Sequence, residues 1–362
     1  MSRRRAGLVG ALVGLAAAGA AAGLTAERLV VGRARIGGDP GAVEPFGLLP
    51  TDRELTVSTE DGVALHTEVV GRASAELTVV FVHGYCLDMG TWHFQRRGLA
   101  GLTAPRIRMV FFDQRGHGRS GSGQPSRYTI EQLGRDLDAV IEATAPSGPL
   151  VLCGHSMGGM AVMALAEHRP ALFADRVAGV ALISTSAGDM DTVSFGMPRL
   201  FNAVRKPLMP LLASGMRHRS ALVERARRTG SDVTWLATRR WAFGTRAVSP
   251  ALVDHVERMN SGTPVETIAA FLATLSDHTR YEALAAFREI ETVVICGERD
   301  LMTPVEHSRR LAEALPECEF VEIADGAHLT LMDHADEVNG HLREFLRRAA
   351  RARPAQRALR NA

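Results

Sequence analysis

The sequence has a single lysine, Lys206, among 42 lysine and arginine residues, and its formal net charge is only +2. A protein that binds nucleic-acid phosphates needs a clear excess of positive charge on one surface. We therefore expect no nucleic-acid partner. Because arginine replaces lysine almost everywhere, as strong coding bias would produce, a cluster of arginines is also weak evidence for a specific binding site.

Cysteine is scarce as well, with four in 362 residues. Cys153 and Cys296 end apolar runs and Cys86 follows a His-Gly turn, so we interpret them as free thiols and not as halves of disulfides. The sequence shows no ligand spacing typical of a metal site, no Walker loop and no dinucleotide-binding fingerprint. We therefore expect neither a cofactor nor a metal.

Charged side chains are absent from Ala6 to Ala26, directly after three arginines. A stretch of this length can span a bilayer, although its many Ala and Gly residues make it only weakly hydrophobic. We predict a membrane anchor within residues 1–36 and a location at the cell membrane. A signal segment that is cleaved before export is the alternative. Residues 37–54 are rich in Gly and Pro and are predicted to be a linker.

Predicted strands and helices alternate in the rest of the chain. Apolar runs that predict buried strands occupy residues 77–82, 107–112, 150–153 and 177–183. A turn signal at Asp61-Gly62 predicts an earlier hairpin. The pattern indicates an α/β fold with a mostly parallel, doubly wound sheet and helices on both faces, formed by residues 55–187 and 290–348.

The alternation stops between residues 188 and 289, where helical periods and prolines occur without a convincing strand. An insertion of this kind predicts a helical cap over the carboxyl edge of the sheet. The cap contributes methionine and aromatic residues that predict an apolar, adaptable pocket: Met190, Met197, Met209, Met216, Met259, Phe195, Phe201, Trp235, Trp241 and Phe243. Residues 349–362 are predicted to form a frayed basic tail.

The most informative stretch joins an apolar run to Gly154-His155-Ser156-Met157-Gly158 and then to a helical pattern. This order predicts a strand, a sharp turn with Ser156 at its apex, and a helix. The two glycines lack side chains, which allows the strand and the helix to approach each other. The turn also places the Met157 N–H at a helix N-terminus, where a developing oxyanion can be held.

Further motifs follow the other predicted strands: His83-Gly84, Asp113-x-Arg115-Gly116-x-Gly118-x-Ser120, Gly297-Glu298-Arg299-Asp300 and Gly326-Ala327-His328. With them, the chain from about residue 55 to 348 resembles the cap-bearing branch of the α/β-hydrolase fold superfamily. Catalytic residues in that family occur in the order serine, acid, histidine. The resemblance therefore implies Ser156 as nucleophile, Asp300 as acid and His328 as base. It also implies the Tyr85 backbone N–H as the second oxyanion donor.

Alternatives for these roles remain. Asp189 is the second candidate for the acid, because some relatives place the acid after the preceding strand. His334 is a weaker candidate for the base, and Asp325 is too close in sequence to His328 to suit the acid. Three histidines inside the motifs are interpreted as structural: His83, His117 and His155.

Serine at position 156 separates this chain from relatives that open epoxides or remove halides, which use aspartate. The resemblance implies a serine esterase or lipase-like enzyme that cleaves a carboxylic ester with an apolar acyl chain through an acyl-enzyme. The partners expected are thus a small-molecule ester and, through the N-terminal segment, a membrane. Other possibilities are a cofactor-free perhydrolase of the haloperoxidase kind, a carbon–carbon bond hydrolase and a non-catalytic ligand-binding protein.

Overall fold

The computed structural model of the protein describes residues 39, 41–190, 193, 231–245 and 247–360. The predicted membrane anchor or signal segment, residues 1–36, lies outside these residues. In the part of the chain that is described, no helix combines the length and the apolar character needed to cross a membrane.

Eight strands form one sheet: β1 Arg53–Ser58, β2 Ala64–Val70, β3 Leu77–Val82, β4 Ile107–Phe112, β5 Leu150–His155, β6 Val177–Ile183, β7 Glu291–Gly297 and β8 Glu319–Ile323. Their spatial order is β1-β2-β4-β3-β5-β6-β7-β8. The β1–β2 and β2–β4 pairs are antiparallel, and the other neighbouring pairs are parallel. The mostly parallel α/β sheet predicted from the sequence is confirmed.

The central strands are apolar at nearly every position because both faces of the sheet are covered. In β3, Val80 and Val82 belong to one hydrophobic core, whereas Val79 and Phe81 belong to the other. Successive side chains of a strand point to opposite faces, so a strand buried on both sides has a continuous apolar run. This is the pattern that identified β3, β4, β5 and β6 in the sequence.

Ten α-helices surround the sheet: α1 His93–Leu99, α2 Ile130–Thr144, α3 Met157–His168, α4 Pro170–Asp175, α5 Ser231–Ala242, α6 Pro250–Gly262, α7 Val265–Ser276, α8 Val305–Ala314, α9 Thr330–Asp333 and α10 Ala335–Arg360. This count covers the described residues only. Helices α2 and α3 contribute to the core on one face, and α1 and α10 to the core on the other. The last helix continues past Arg348 to Arg360, within the stretch predicted to be a frayed basic tail, where alanine and arginine have high helix propensity.

The motif after β4 joins the hairpin to the body of the fold. The Arg115 side chain is fully buried, and its guanidinium donates to Asp136 of α2 at 2.5 and 2.7 Å. It also donates to both carboxylate oxygens of Asp61, in the β1–β2 turn, at 2.9 and 3.0 Å. A buried charge is tolerated only when it is paired in this way. The arginine therefore fixes the position of the β1–β2 hairpin relative to α2.

Residues 41–50, together with Asp39, pack across two helices, and we call this segment the strap. Asp39 accepts a hydrogen bond from the Ala251 N–H at the start of α6, at 2.8 Å. The Phe46 ring stacks on His255 of α6 with a centroid distance of 4.6 Å and meets Phe94 of α1 at 5.8 Å. The strap therefore contacts the cap region and the core at once, in the stretch that the sequence predicted to be a linker.

Candidate active site

The turn between β5 and α3 holds Ser156 in an uncommon backbone conformation, with φ 52° and ψ −120°. Its neighbours leave no room for side chains. A Cβ atom on Gly158 would lie 2.1 Å from the Val82 carbonyl oxygen, and one on Gly154 would lie 2.6 Å from the Gly159 Cα. The strained turn therefore requires glycine at both positions, as the sequence suggested, and it presents the serine at the carboxyl edge of the sheet.

Three side chains from three loops meet at this edge. His328 Nε2 lies 3.0 Å from the Ser156 Oγ, and His328 Nδ1 lies 2.9 Å from Asp300 Oδ2. Ser156 follows β5, Asp300 follows β7 and His328 follows β8, so the ends of parallel strands bring them together. The structure thus joins all three residues singled out for catalysis into one hydrogen-bonded chain.

The carboxylate of Asp300 is held by its own loop. Its Oδ1 accepts hydrogen bonds from the Met302 and Thr303 N–H groups at 2.8 and 2.9 Å, and its Oδ2 accepts one from the Thr303 hydroxyl at 2.8 Å. Burial raises the pKa of Asp300, but His328 and the hydrogen bonds from Thr303 outweigh it, so that the pKa lies below its usual value. The carboxylate is therefore ionised and oriented toward His328.

Sequence reasoning missed Thr303. Asp300 is followed three residues later by Thr303, which is the spacing of a local hydrogen bond between an Asp side chain and the turn after it, and this was the available signal. The Thr303 hydroxyl oxygen also lies 3.4 Å from His328 Nδ1.

The three motif histidines hold loops in place. His155 Nε2 donates to the His328 carbonyl oxygen at 3.0 Å, and burial lowers the pKa of His155 to about 3, so its ring is neutral. His83 Nε2 accepts a hydrogen bond from the Gln114 N–H at 2.9 Å, and His117 Nε2 accepts one from the Cys86 N–H at 3.2 Å. Their structural interpretation agrees with these contacts.

The loop after β3 places Tyr85 beside Ser156. Both residues line the same cavity, and the Tyr85 N–H makes no hydrogen bond to any residue that the structure describes. The Met157 N–H is the first of α3, so it has no acceptor within the helix. The Tyr85 hydroxyl donates to the Ile268 carbonyl oxygen of α7 at 2.5 Å. One predicted donor is thus the chain neighbour of Ser156 and the other lies in the same cavity wall, while the Tyr85 side chain joins the loop after β3 to α7.

The alternative acids and base lie elsewhere. Asp189 accepts hydrogen bonds from the Tyr281 hydroxyl at 2.9 Å and from Arg310 at 2.5 Å. Asp325 is exposed and pairs with Arg299. His334 pairs with its neighbour Asp333 at 2.8 Å. None of these contacts reaches Ser156 or His328.

A cavity of about 450 Å³ lies over the serine. Its wall combines Ser156 and His328 with apolar side chains and with residues of α5, α6 and α7, which lie in the region predicted to be a cap. Of the predicted apolar cap residues, Met190 and Trp241 line the cavity. Trp235, Phe243 and Met259 are buried in the core, and the others lie outside the described residues: Met197, Met209, Met216, Phe195 and Phe201.

One group in the described residues has the spacing of a metal site: Glu54, His66 and Glu68, on β1 and β2. Arginines already neutralise it, because Arg96 pairs with Glu68 at 2.6 Å and Arg119 pairs with Glu54 at 2.8 Å. The arrangement is therefore an ion-pair network on the hairpin, and its residues do not line the cavity.

The fold and the site define the class of protein. The model of the alpha/beta hydrolase fold family matches residues 78–335, and the chain belongs to that family. It is a hydrolase of this fold.

Individual relatives differ in what their names describe. The chain is 31% identical over 165 residues to the protein named probable oxidoreductase EphD in Mycobacterium tuberculosis (strain ATCC 25618 / H37Rv); the match covers 45% of this chain and 26% of that protein, about a quarter of its length. It is 28% identical over 296 residues to the putative carbamate hydrolase RutD of Variovorax paradoxus, covering 79% and 97%. Among solved structures, a thermophilic esterase from Thermogutta terrifontis is 26% identical with a TM-score of 0.63, covering 82% of this chain and 99% of the esterase.

Proposed function

We propose that the protein is a serine hydrolase that cleaves a carboxylic ester through an acyl-enzyme intermediate. The observation that carries the proposal is the hydrogen-bonded chain from Ser156 through His328 to Asp300, with distances of 3.0 and 2.9 Å. Serine is a weak nucleophile until a neighbouring base removes its proton, and that base must itself be oriented by a third group. The similarity to an esterase of 26% identity supports the same reaction.

In this mechanism the Ser156 oxygen attacks the ester carbonyl carbon while His328 Nε2 takes the serine proton. The carbonyl oxygen becomes an oxyanion, which accepts hydrogen bonds from the Met157 and Tyr85 N–H groups. His328 then donates the proton to the departing alcohol, which leaves an acyl-enzyme. Water, deprotonated by the same histidine, attacks the acyl carbon and releases the acid. Asp300 stabilises the imidazolium in both halves of the reaction.

The cavity wall favours an apolar acyl chain. Methionine, leucine and isoleucine side chains make up much of it, including Met160, Met190, Ile268 and Leu272. We expect kcat/KM to rise as the acyl chain lengthens from two carbons into the medium range, because each buried methylene contributes up to about 0.8 kcal/mol to transition-state binding, or roughly fourfold. Purified enzyme and a series of p-nitrophenyl esters test this expectation.

A profile that is flat or falls steadily from acetate would contradict a lipid-like substrate and favour a small ester. A matched carbamate belongs in the same series, because the RutD relatives are named putative carbamate hydrolases. Leu272→Ala enlarges the cavity, so the acyl chain length with the highest kcat/KM should increase. The control is Leu346→Ala, at a leucine outside the cavity, which should leave the preferred chain length unchanged.

A further inference from the structure

Five polar side chains line the cavity on its α5 and α6 side. Four of them are joined by hydrogen bonds, and we call these four the cap polar cluster: Thr238, Glu257, Asn260 and Ser261. The Thr238 hydroxyl donates to Glu257 Oε2 at 3.1 Å, and the Ser261 hydroxyl donates to Oε1 at 3.0 Å. The Asn260 amide donates to the Thr238 oxygen at 3.3 Å. Three of the four residues lie on one face of α6, at spacings of three and four residues.

Each of these hydrogen bonds is directed toward the carboxylate. Asn260 donates to Thr238, Thr238 donates to Glu257, and Ser261 donates to the other carboxylate oxygen. The cluster as a whole is therefore an acceptor that holds one negative charge. Among the residues that the structure describes, no basic side chain forms an ion pair with Glu257. A carboxylate has about four acceptor positions, so two hydroxyl donors leave acceptor capacity for a group in the cavity.

The rest of the cavity wall is mostly apolar, so the charge of Glu257 strongly affects which ligands can bind. Leu272, Leu275 and Met302 lie in the same wall, and they offer no partner for a carboxylate. A wholly apolar ligand that filled the cavity would remove water from Glu257 without replacing its hydrogen bonds, which is unfavourable. A positively charged donor would replace that water with a charge-assisted hydrogen bond, the strongest kind available to a carboxylate.

We propose that the cavity accepts an amphipathic ester whose chain ends in an ammonium group, and that this group binds to Glu257 while the ester carbonyl lies at Ser156. The inference rests on the proposed function and names its substrate class: an apolar spacer with a cationic nitrogen at its far end. Glu257 is then the residue that determines specificity, and Thr238 and Ser261 orient its carboxylate.

The test compares esters that differ only at the chain end. For spacers of four to eight methylenes, p-nitrophenyl esters of ω-ammonium, ω-hydroxyl and ω-methyl acids are measured with the wild-type protein and with Glu257→Gln. A second series uses alkanoate esters of ω-ammonium alcohols, which place the charge on the leaving group, and compares them with esters of the matching uncharged alcohols. We expect the wild type to prefer the ammonium ester over the methyl ester by about 10- to 100-fold in kcat/KM, as for a hydrogen bond between charged groups.

Glu257→Gln should bring that preference to about one, since the amide keeps the shape but not the charge. The matched control is Glu306→Gln, an exposed glutamate of α8 outside the cavity, which should leave the preference unchanged. Equal preferences in the wild type and Glu257→Gln overturn the proposal. The proposal is also overturned if the wild-type protein prefers the methyl ester at every spacer length, in both the acyl series and the alcohol series. A hydroxyl end that is favoured equally by both proteins likewise overturns the cationic assignment.

A binding measurement separates this inference from the proposed reaction. Titration calorimetry with n-hexylammonium and with 1-hexanol requires no turnover. We expect Glu257→Gln to weaken hexylammonium binding at least tenfold and to change hexanol binding little. If the ammonium binds in this way and no ester is hydrolysed, the proposed reaction is wrong and the site stands. If esters are hydrolysed and the ammonium binding is unaffected by the substitution, the site is wrong and the reaction stands.

Discussion

Replacing Ser156 by alanine is expected to reduce ester turnover by about 10⁶-fold, the loss seen when the nucleophile of a serine protease is removed. The variant has no oxygen for His328 to activate, because the hydroxyl that lies 3.0 Å from His328 Nε2 is gone. The backbone donors at Met157 and Tyr85 remain, so a small residual rate over the uncatalysed reaction should persist. The measurement is kcat/KM on a p-nitrophenyl ester, together with labelling by a fluorophosphonate.

Ser184→Ala is a closely matched control. Ser184 is also a buried serine with a positive φ, 45°, at the end of the next strand, β6. Its hydroxyl has no hydrogen-bond partner among the described residues, so its removal should leave activity and labelling near the parental level. A folded Ser156→Ala protein that still hydrolysed esters at the parental rate would show that the acyl-enzyme mechanism is wrong.

Replacing Asp300 by asparagine should lower kcat by about 10⁴-fold, as in the serine-protease case. The asparagine oxygen can keep the hydrogen bonds from the Met302 and Thr303 N–H groups, so the loop should retain its shape. Its NH₂ group then faces His328 Nδ1, where the carboxylate accepted a hydrogen bond. This arrangement favours the tautomer with the proton on Nε2, which cannot take a proton from Ser156.

Asp189→Asn provides the comparison, because Asp189 is the second candidate for the acid. It contacts Tyr281 and Arg310 instead of His328, so its substitution should change kcat little. The assignment would be reversed by a large loss in Asp189→Asn combined with near-normal activity in Asp300→Asn. Circular dichroism melting curves show whether either variant is folded at the assay temperature.

The central strands and the catalytic loops were predictable because their signals are local. A run such as Val177–Ile183 is apolar at every position, and only a strand covered on both faces needs that pattern. Ser156, Asp300 and His328 each follow a parallel strand of the sheet, and parallel strands bring their carboxyl ends to one edge. Their proximity therefore follows from the order of the elements, without knowledge of any particular side-chain contact.

The cap polar cluster could not be predicted in the same way. Glu257, Asn260 and Ser261 share a helix face, but solvent-exposed helix faces are commonly polar too. What makes the group distinctive is Thr238, which reaches it from another helix, and the packing of both helices over an apolar cavity. Contacts between helices depend on crossing angle and loop path, which local patterns of hydrophobicity do not specify. The same reason explains why Tyr85 was expected only as a backbone donor, without its contact to Ile268.

The strap belongs to the folded domain, so the domain begins before β1. Helix α6 carries Glu257 on its cavity side, while its start is bonded to Asp39 and its His255 ring is covered by Phe46. A chain shortened to begin at Thr51 would therefore lose structural contacts as well as a spacer. The His255 ring of α6 would lose its contact with Phe46, and the Ala251 N–H in the first turn of α6 would lose its hydrogen-bond acceptor, Asp39. The position of α6, and with it the part of the cavity wall that carries Glu257, therefore depends on the strap.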